Sequence, residues 1–204
     1  RIWKTDTEAF LKGCIVKGKF DTGVSKIWLN TRLSKNCMVY FAPFDENEAS
    51  YCTVAVPSSP EELDILWSRT VEELGFEPVP QTEFKLEEYK LGRVSTRQIG
   101  KMMLAGAAGG FVLPFMGFGQ IPSILSGVHA AESIIKGKDY NKLTSWFDKQ
   151  YTNDLKLRKY VDNLDNEGLD RLVSFFNLPL MSSLAANTGL PVIGIAAKAV
   201  LSRN

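Results

Sequence analysis

The chain has 204 residues, of which 45% are hydrophobic and 23% are charged, a composition typical of a globular protein with a sizeable core. Its 24 basic and 23 acidic residues give a formal net charge of +1 and are mixed along the chain, which argues against a nucleic-acid partner. The three cysteines are far apart and there is one histidine, so neither a disulfide framework nor a metal site is predicted.

The expected location is the cytoplasm, because three scattered cysteines are typical of reduced thiols. The chain begins with Arg-Ile-Trp and shows no charged leader before an apolar region, so we expect a fragment or processed chain without a signal peptide. Two apolar segments, 102–128 and 178–197, are long enough to resemble membrane spans. Glycine and proline interrupt both, which argues against a lipid-exposed helix. A peripheral membrane contact through 178–197 stays open.

Residues 9–57 predict an antiparallel sheet. Apolar, β-branched and aromatic residues recur with a period of two in four segments, FLKGCIVKGKF, SKIWLNTRL, NCMVYFAPF and SYCTVAVP. Turn residues such as those at 21–23 and 45–48 separate the segments, and this spacing is typical of consecutive antiparallel strands.

A helix over about 60–74 follows the sheet. Ser59 is a typical N-cap residue, Pro60 takes the first helical position, Glu62 completes a capping box and Gly75 is a stop signal. The apolar positions form one stripe, which consists of Leu63, Leu66, Trp67, Val71 and Leu74.

The second half of the chain predicts one or two extended strands within 76–100, a short apolar strand at 101–105, and then helices. SILSGVHAAESIIKG has a helical pattern, KDYNKLTSWFDKQYTNDLKLRKYVDNL predicts one long amphipathic helix, and NEGLDRLVSFFN predicts another. The apolar tail predicts two short helices joined by a turn. The order of elements indicates an α+β fold: an antiparallel sheet, a strand, a glycine turn and a helical region.

The segment GAAGGFVLPFMGFGQIPSILSGVHAA, residues 106–131, carries the main functional signal. It holds six glycines and two prolines, and no Lys, Arg, Asp or Glu. A strand, a glycine-rich turn and a helix let the main chain approach a ligand closely, with amide N–H groups and the positive end of the helix dipole turned toward it. The predicted ligand carries an anion or an electron-rich oxygen. Tight packing of a buried turn is the alternative interpretation.

This segment resembles the second flavin-binding segment of the flavoproteins built like para-hydroxybenzoate hydroxylase, especially the geranylgeranyl reductase branch. The pattern of that branch reads roughly G-D-A-A-G-x-x-x-P-x-x-G-x-G-I, followed by A-L-x-S-G-x-x-A-A. It coincides without a gap with Gly106, Ala108, Gly110, Pro114, Gly117, Gly119, Ser126, Gly127, Ala130 and Ala131. A looser resemblance extends upstream to MVYFAP and downstream to the helical tail.

The resemblance implies that 101–138 is the flavin-contacting strand, turn and helix of a two-domain flavoprotein fold. The turn would pass the ribityl and pyrophosphate part of FAD, the loop 114–119 would lie against the isoalloxazine ring, and the following helix would direct its N-terminus at the flavin O2 and N1. FAD contacts are thereby implied for Gly106, Ala107, Gly110, Pro114, Gly117, Phe118, Gly119 and Gln120.

Two positions depart from the family pattern, and half of the family's fold is missing. Ala107 replaces an aspartate that contacts the ribityl or phosphate region, and Leu113 replaces the aspartate before the proline. No strand followed by G-x-G-x-x-G and a later acidic residue occurs in this sequence, and in the family that dinucleotide-binding half lies upstream. The chain thus resembles the C-terminal half of such an enzyme, and alone it is expected to hold FAD poorly or not at all.

By the same analogy, 1–100 is a substrate-covering sheet with one helix, 101–138 is the flavin-contacting segment, and 139–204 is a C-terminal helical region. The sheet would line the substrate pocket with aromatic side chains and a thiol, those of Trp28, Tyr40, Phe41 and Cys52. Ordinary core packing is the alternative for these residues, and for Cys52 it is the favoured interpretation.

Other polar residues near the glycine segment receive no role in binding or catalysis. His129 has no acidic or nucleophilic partner nearby in the sequence, so packing or a surface position is favoured. Arg93 and Arg97 precede the glycine segment; contact with a phosphate is the alternative, and solvated side chains are the prediction. No Ser-His-Asp, paired-carboxylate or metal-ligand spacing stands out, so no catalytic residue is assigned.

These observations favour the C-terminal part of an FAD-dependent oxidoreductase, similar to geranylgeranyl reductases, that transfers hydride to or from an apolar substrate such as an isoprenoid. An alternative of a different class is a non-catalytic lipid-binding or scaffold protein of the same fold that has lost flavin, as Ala107 and Leu113 suggest. A small membrane protein that spans the bilayer with 102–128 is the third hypothesis.

Overall fold

The computed structural model describes residues 2–35, 37–56 and 59–176. For residues 175 and 176 it describes the main chain but not the side chains. The strands are β1 (Trp3–Lys17), β2 (Lys26–Trp28), β3 (Met38–Pro43), β4 (Glu48–Ala55), β5 (Phe84–Val94), β6 (Gln98–Ile99) and β7 (Met102–Met103). The α-helices are α1 (Pro60–Leu74), α2 (Gln120–Lys136), α3 (Tyr140–Thr144), α4 (Trp146–Val161) and α5 (Asn166–Phe176).

The chain divides into two compact units. In the described part of the chain, we call 8–89 with 164–172 the sheet unit, and 2–7 with 90–163 and 173–176 the turn unit. Among the described residues, none of the helices is both long and apolar enough to cross a bilayer. The two short helices predicted within 178–197 lie outside the described residues.

The predicted antiparallel sheet is confirmed. Five strands pair in the order β2-β3-β4-β1-β5, and the pairs β2–β3, β3–β4 and β4–β1 are antiparallel. The register places Tyr40 opposite Cys52 and Phe41 opposite Tyr51, and Cys14 is the partner of Tyr51 on the other side. Because side chains alternate along a strand, Phe41, Tyr51 and Cys14 share one face, and Tyr40 and Cys52 share the other.

Helix α1 has the predicted bounds and both predicted caps. The Ser59 hydroxyl accepts the N–H of Glu62 at 3.3 Å, and Gly75 ends the helix with a φ of 65°, a left-handed conformation that favours glycine. The helix buries Trp67 in a core cluster with Phe41 and side chains of β1 and β4. Thus α1 covers the face of the sheet that carries Phe41 and Tyr51.

The turn unit differs in two places from the sequence prediction. The strand predicted at 101–105 is only the two residues of β7, which pair with β6. The single long helix predicted after 138 is wrong, because α3 and α4 are separated at Ser145. In a continuous helix the Thr144 carbonyl would accept the N–H of Asp148. Here it accepts the Arg97 Nη1 at 3.2 Å instead, and the N–H of Asp148 donates to Ser145 at 3.2 Å.

Candidate functional site

The glycine-rich residues form a closed turn, 106–119, directly before α2. One turn of 3-10 helix spans Gly106–Gly109, and Gly110 ends it with a φ of 74°. Two main-chain bonds then close the loop: the N–H of Leu113 donates to the Phe118 carbonyl at 2.9 Å, and the N–H of Gly117 donates to the Leu113 carbonyl at 3.0 Å. We call residues 106–119 the glycine turn.

Glycines of this turn fall into two groups. At Gly109, Gly110 and Gly119, an added Cβ would collide with neighbouring atoms, such as the Gly92 carbonyl oxygen 2.9 Å from the Cβ position of Gly110. These three are required by close packing. At Gly117 nothing lies within 4 Å of the Cβ position, and at Gly106 the nearest atom is 3.7 Å away. Both open glycines have a positive φ, 58° at Gly106 and 70° at Gly117.

Buried polar side chains hold the main chain of the turn. Ser126 Oγ accepts the N–H of Gly106 at 2.9 Å, and the Tyr140 hydroxyl donates to the carbonyl of Leu104, two residues before the turn, at 3.0 Å. At Phe115 the N–H donates to Asp154 Oδ1 at 2.5 Å, and the carbonyl accepts Arg158 Nη1 at 3.1 Å. Main-chain groups that a glycine-rich loop cannot pair within itself are thereby satisfied from α2, α3 and α4.

Arg97 is the central side chain of this arrangement, and its predicted solvation is wrong. It is 5% exposed, and its guanidinium donates to the Gly109 carbonyl at 3.2 Å and to Asp148 at 2.6 Å. The same guanidinium lies over the ring of Phe111, 4.6 Å from the ring centre, a favourable cation–π contact. Arg97 therefore joins the glycine turn to the junction of α3 and α4.

Arg93 is half-exposed and pairs within the protein. Its Nε and Nη2 donate to the two carboxylate oxygens of Asp6 at 2.8 Å and 3.1 Å. Burial alone would raise the pKa of Asp6, but the hydrogen bonds from Arg93 and Tyr151 outweigh it and hold that pKa below its usual value. Arg93 is therefore committed to an ion pair.

Asp154 and Arg158 hold the main chain of the candidate site at Phe115, and neither was predicted from the sequence. Burial raises the pKa of Asp154 to about 6, although the N–H of Phe115 and the charge of Arg158 both act to lower it. A signal was present, because 154 and 158 continue the spacing of the buried Phe147 and Tyr151 along one face of α4. Ionisable residues on a buried stripe indicate polar partners inside the fold.

The residues implied to contact FAD divide by accessibility. Ala107, Gly117, Phe118 and Gln120 are exposed, and Gly106 and Gly119 are half-buried. Gly110 and Pro114 are buried and shape the turn. No side chain caps the N-terminus of α2, whose N-cap residue is Gly119. The first amides of a helix carry partial positive charge, so the accessible part of the turn can accept an electron-rich group.

The four pocket residues proposed on the sheet lie on two faces. Phe41 is buried in the core cluster, and Trp28 packs against that cluster. Tyr40 and Cys52 are cross-strand partners on the opposite face. Burial raises the pKa of the Cys52 thiol to about 12, and it also raises the pKa of the Tyr40 hydroxyl. Both groups are therefore neutral hydrogen-bonding groups near pH 7, and the thiol is not a nucleophile.

The remaining candidate residues are His129 and the cysteines. His129 is half-buried against Trp146, with 6.4 Å between the ring centres, which agrees with the packing role favoured from the sequence. The expectation that it has no acidic partner nearby was wrong, because Glu132 Oε2 lies 3.6 Å from its Nδ1, one turn further along α2. None of the three cysteines forms a disulfide. Within the described ranges, no group of three or more His, Cys, Asp or Glu residues could hold a metal ion.

Solved structures of flavin-dependent enzymes share the fold, although the sequence matches no protein-family model and no curated protein. The chain is similar to a geranylgeranyl bacteriochlorophyll reductase-like protein from Thermoplasma acidophilum, at 17% identity and a TM-score of 0.62, over 96% of this chain and 54% of that one. It is similar to CmlS, a flavin-dependent halogenase, at 14% identity and a TM-score of 0.58, over 99% of this chain and 46% of that one.

A p-nitrophenol 4-monooxygenase from Pseudomonas putida is also similar, at 14% identity and a TM-score of 0.58, over 98% of this chain and 54% of the monooxygenase. At such identities the likeness concerns the fold alone. The chain has an α+β fold that occurs in flavin-dependent enzymes, and it spans about half the length of the solved structures that it matches.

Proposed function

We propose that the chain is the C-terminal part of an FAD-dependent oxidoreductase that transfers hydride to or from an apolar substrate, such as an isoprenoid. In this proposal the glycine turn receives the flavin. A dinucleotide-binding half, which has no counterpart in these residues, holds the remainder of FAD. The fold shared with flavin-dependent enzymes supports the assignment of the cofactor class.

The observation that carries the proposal is the pair of open glycines in front of an uncapped helix. A flat ring can lie against main chain only where no Cβ intervenes, and at Gly117 nothing lies within 4 Å of the Cβ position. Helix α2 begins at Gln120, and the side chains of Gln120 and of Phe118, two residues earlier, are exposed. The site therefore fits a planar, electron-rich group near bare peptide.

The chain's own residues contribute position and electrostatic field. When bound, FAD supplies two-electron chemistry and carries hydride to or from carbon. The amides that begin α2 favour negative charge near the N-terminus of that helix. Asp154 and Arg158 fix both main-chain groups of Phe115, and Arg97 fixes the carbonyl of Gly109. The turn is thereby held in its binding shape before the cofactor arrives, which lowers the cost of ordering it.

An apolar substrate agrees with the sheet face that carries Tyr40 and Cys52. Tyr40 and Cys52 are mostly uncharged near pH 7 at their ordinary pKa values, and burial raises both pKa values further, so neither group places a charge on this face. A neutral wall favours an uncharged ligand, because a buried charge without a partner is strongly unfavourable. In this proposal the half-buried Tyr40 lines the substrate pocket. Cys52 is 0% exposed and belongs to the interior of that face, as the core-packing interpretation favoured, and Trp28 and Phe41 stabilise the sheet from its other face.

A non-catalytic lipid-binding or scaffold protein is the second candidate. It is supported by Leu113, which packs against the cluster of Phe111, Phe147 and Tyr151 at a position where the related pattern has an aspartate. A substitution at the exposed Ala107 distinguishes the oxidoreductase from the scaffold protein. In the oxidoreductase, Ala107→Asp restores a cofactor contact and tightens FAD binding; in the scaffold protein it changes nothing.

The direct experiment is to purify the protein at its native length and to measure the flavin released on denaturation. The proposal predicts close to one FAD for each chain. It also predicts that the reduced protein, kept free of oxygen, is reoxidised by geranylgeraniol as an apolar alkene probe. A native-length protein without flavin contradicts the proposal and favours the scaffold protein. Bound flavin that the alkene does not reoxidise contradicts the substrate class alone.

A further inference from the structure

Charged residues are distributed unequally between the two units, although they are mixed along the sequence. In the turn unit, twelve Lys and Arg residues stand against six Asp and Glu residues, whereas the sheet unit has nine of the former and seventeen of the latter. Near pH 7 the turn unit is therefore strongly positive and the sheet unit strongly negative. Such an asymmetry indicates that the turn unit attracts a negatively charged partner.

The six carboxylates of the turn unit are already engaged inside that unit. Four of them form ion pairs: Asp6 with Arg93, Asp148 with Arg97, Asp162 with Arg158, and Glu132 with Lys136 and Lys138. Of the other two, Asp154 accepts the N–H of Phe115 and Asp139 accepts the N–H of Lys142. Several exposed lysines of the unit are thereby left without a carboxylate partner among the described residues.

Three of these lysines lie on the solvent side of α4. Lys149, Lys156 and Lys159 are exposed, and none of them forms an ion pair within the described part of the chain. Their spacing keeps them within about a quarter of the helix circumference, and they extend over about 15 Å along the axis. The opposite side of α4 is buried through residues such as Phe147 and Tyr151. We call Lys149, Lys156 and Lys159 the α4 lysine face.

The residue types on this face favour an anionic lipid surface over a specific protein partner. Protein interfaces are enriched in aromatic residues and Arg, and they are depleted in Lys. None of the exposed side chains of α4 is aromatic or an arginine, and the position between the lysines at Thr152 is small and polar. Lysine is a compact, strongly hydrated charge, which suits diffuse attraction to the headgroups of a bilayer.

The sequence after α5 supplies a second membrane signal. Residues 177–204 are mainly apolar and contain Lys198 and Arg203 but no Asp or Glu. Stable membrane association generally needs two signals, for example an apolar element together with a polybasic patch. The α4 lysine face and this segment are two signals of the required kinds.

We propose that the α4 lysine face binds the anionic surface of a phospholipid bilayer, with 177–204 as the second contact. The turn unit supplies the attraction, because its positive charge is not compensated internally. The sheet unit, with its excess of acidic residues, supplies none. This binding does not depend on the proposed function, because it requires neither flavin nor a substrate.

The test is co-sedimentation of the native-length protein with phosphatidylcholine–phosphatidylserine vesicles and with vesicles of phosphatidylcholine alone. The variant is Lys149→Gln/Lys156→Gln/Lys159→Gln. The matched control, Lys17→Gln/Lys19→Gln/Lys26→Gln, removes three exposed lysines from the sheet unit. Each lysine near an anionic surface contributes about fivefold to the affinity. We therefore expect the α4 variant to bind the anionic vesicles about a hundredfold more weakly, and the control to stay within about twofold of the wild type.

Salt provides a second measurement on the wild-type protein. Raising its concentration from about 0.1 M to about 1 M shortens the screening length from about 10 Å to about 3 Å. We expect this change to weaken the binding to anionic vesicles strongly. Binding that is unaffected by salt overturns the inference, because it would depend on apolar contacts alone.

Three outcomes of the sedimentation also overturn the inference. These are equal binding of the wild type to the two kinds of vesicle, an equal loss in the two triple variants, and wild-type binding by the α4 variant. If the wild type ignores the vesicles but binds polyglutamate or duplex DNA through the same lysines, the partner is an acidic protein or a nucleic acid and the membrane assignment is wrong. Flavin content separates the two proposals: vesicle binding without flavin contradicts the function alone, and flavin without vesicle binding contradicts this inference alone.

Discussion

The glycine turn and the five-stranded sheet are stabilised by different kinds of contact. In the sheet unit the interior is aromatic: Tyr51 stacks on Phe76 with ring centres 4.0 Å apart and contacts Phe41 at 4.9 Å. In the turn unit, buried Arg97, Asp154 and Arg158 bind the main chain of a loop that has few side chains. The main chain of a glycine-rich turn needs polar partners from elsewhere in the fold, whereas neighbouring strands pair their main chains with each other.

The largest expected effect tests the aromatic interior of the sheet unit. Phe41→Ala removes a ring that is 7% exposed, and we expect it to lower the free energy of unfolding by about 4 kcal/mol. Phe44→Ala, at a ring that is 62% exposed, should change it by less than about 0.5 kcal/mol. Urea unfolding measures both. If both variants lowered the free energy of unfolding by the same small amount, Phe41 would be free to line a pocket and would not be a core residue.

The next effect tests the close packing of the glycine turn. A Cβ at Gly109 would collide with the Leu104 carbonyl oxygen and with the ring of Phe111, so Gly109→Ala should cost about 3 kcal/mol. Gly127 lies in α2 with nothing within 4 Å of its Cβ position. There, alanine should stabilise the helix by about 0.5 to 1 kcal/mol. Melting temperatures that shift in the same direction for both variants would contradict this packing.

The stability of the turn unit should depend on pH, because its interior contains ionisable side chains, which an apolar interior lacks. Because the pKa of Asp154 is raised to about 6 from an ordinary value of 3.8, the folded state binds the proton more tightly than the unfolded state. The contribution of this carboxyl to stability is therefore greatest below about pH 4 and declines as the pH rises to about 6.

The variant Asp154→Asn tests this dependence, because its amide oxygen still accepts the N–H of Phe115. We expect the variant to match the wild type near pH 4 and to be more stable by about 2 kcal/mol at pH 7. Urea unfolding at intervals between pH 4 and pH 7 provides the comparison. Parallel curves for the two proteins would show that Asp154 is not the group responsible.

Local signals allowed much of the fold to be predicted from the sequence. The bounds of α1 follow from Ser59 and Gly75, which act within one turn of the helix ends. The strands follow from apolar residues at a period of two. The beginning of α2 was predicted less exactly, because its helical pattern starts at Ser123, whereas the helix begins at Gln120 and includes Pro122. Each of these signals lies beside the structure that it determines.

The features that the sequence did not predict depend on contacts between distant residues. The Arg97 guanidinium donates to the Thr144 carbonyl, 47 positions away in the sequence, at the place where the predicted long helix is interrupted. The sequence likewise places Tyr40 and Phe41 side by side, while the pleat of β3 sends them to opposite faces. Of the candidate site, the turn itself was predictable, and the side chains that hold it were not.

The most direct test of the proposed flavin contact is a pair of glycine variants in the native-length protein. Gly117, in the turn, and Gly137, at the far end of α2, have φ values of 70° and 64° and nothing within 4 Å of the Cβ position, so alanine imposes a similar strain of about 1 kcal/mol at each. Only Gly117→Ala places a methyl group where the ring is proposed to lie. We predict that Gly117→Ala weakens FAD binding about tenfold and that Gly137→Ala leaves it within about twofold. Equal FAD affinities for the two variants would contradict a flavin resting on this turn.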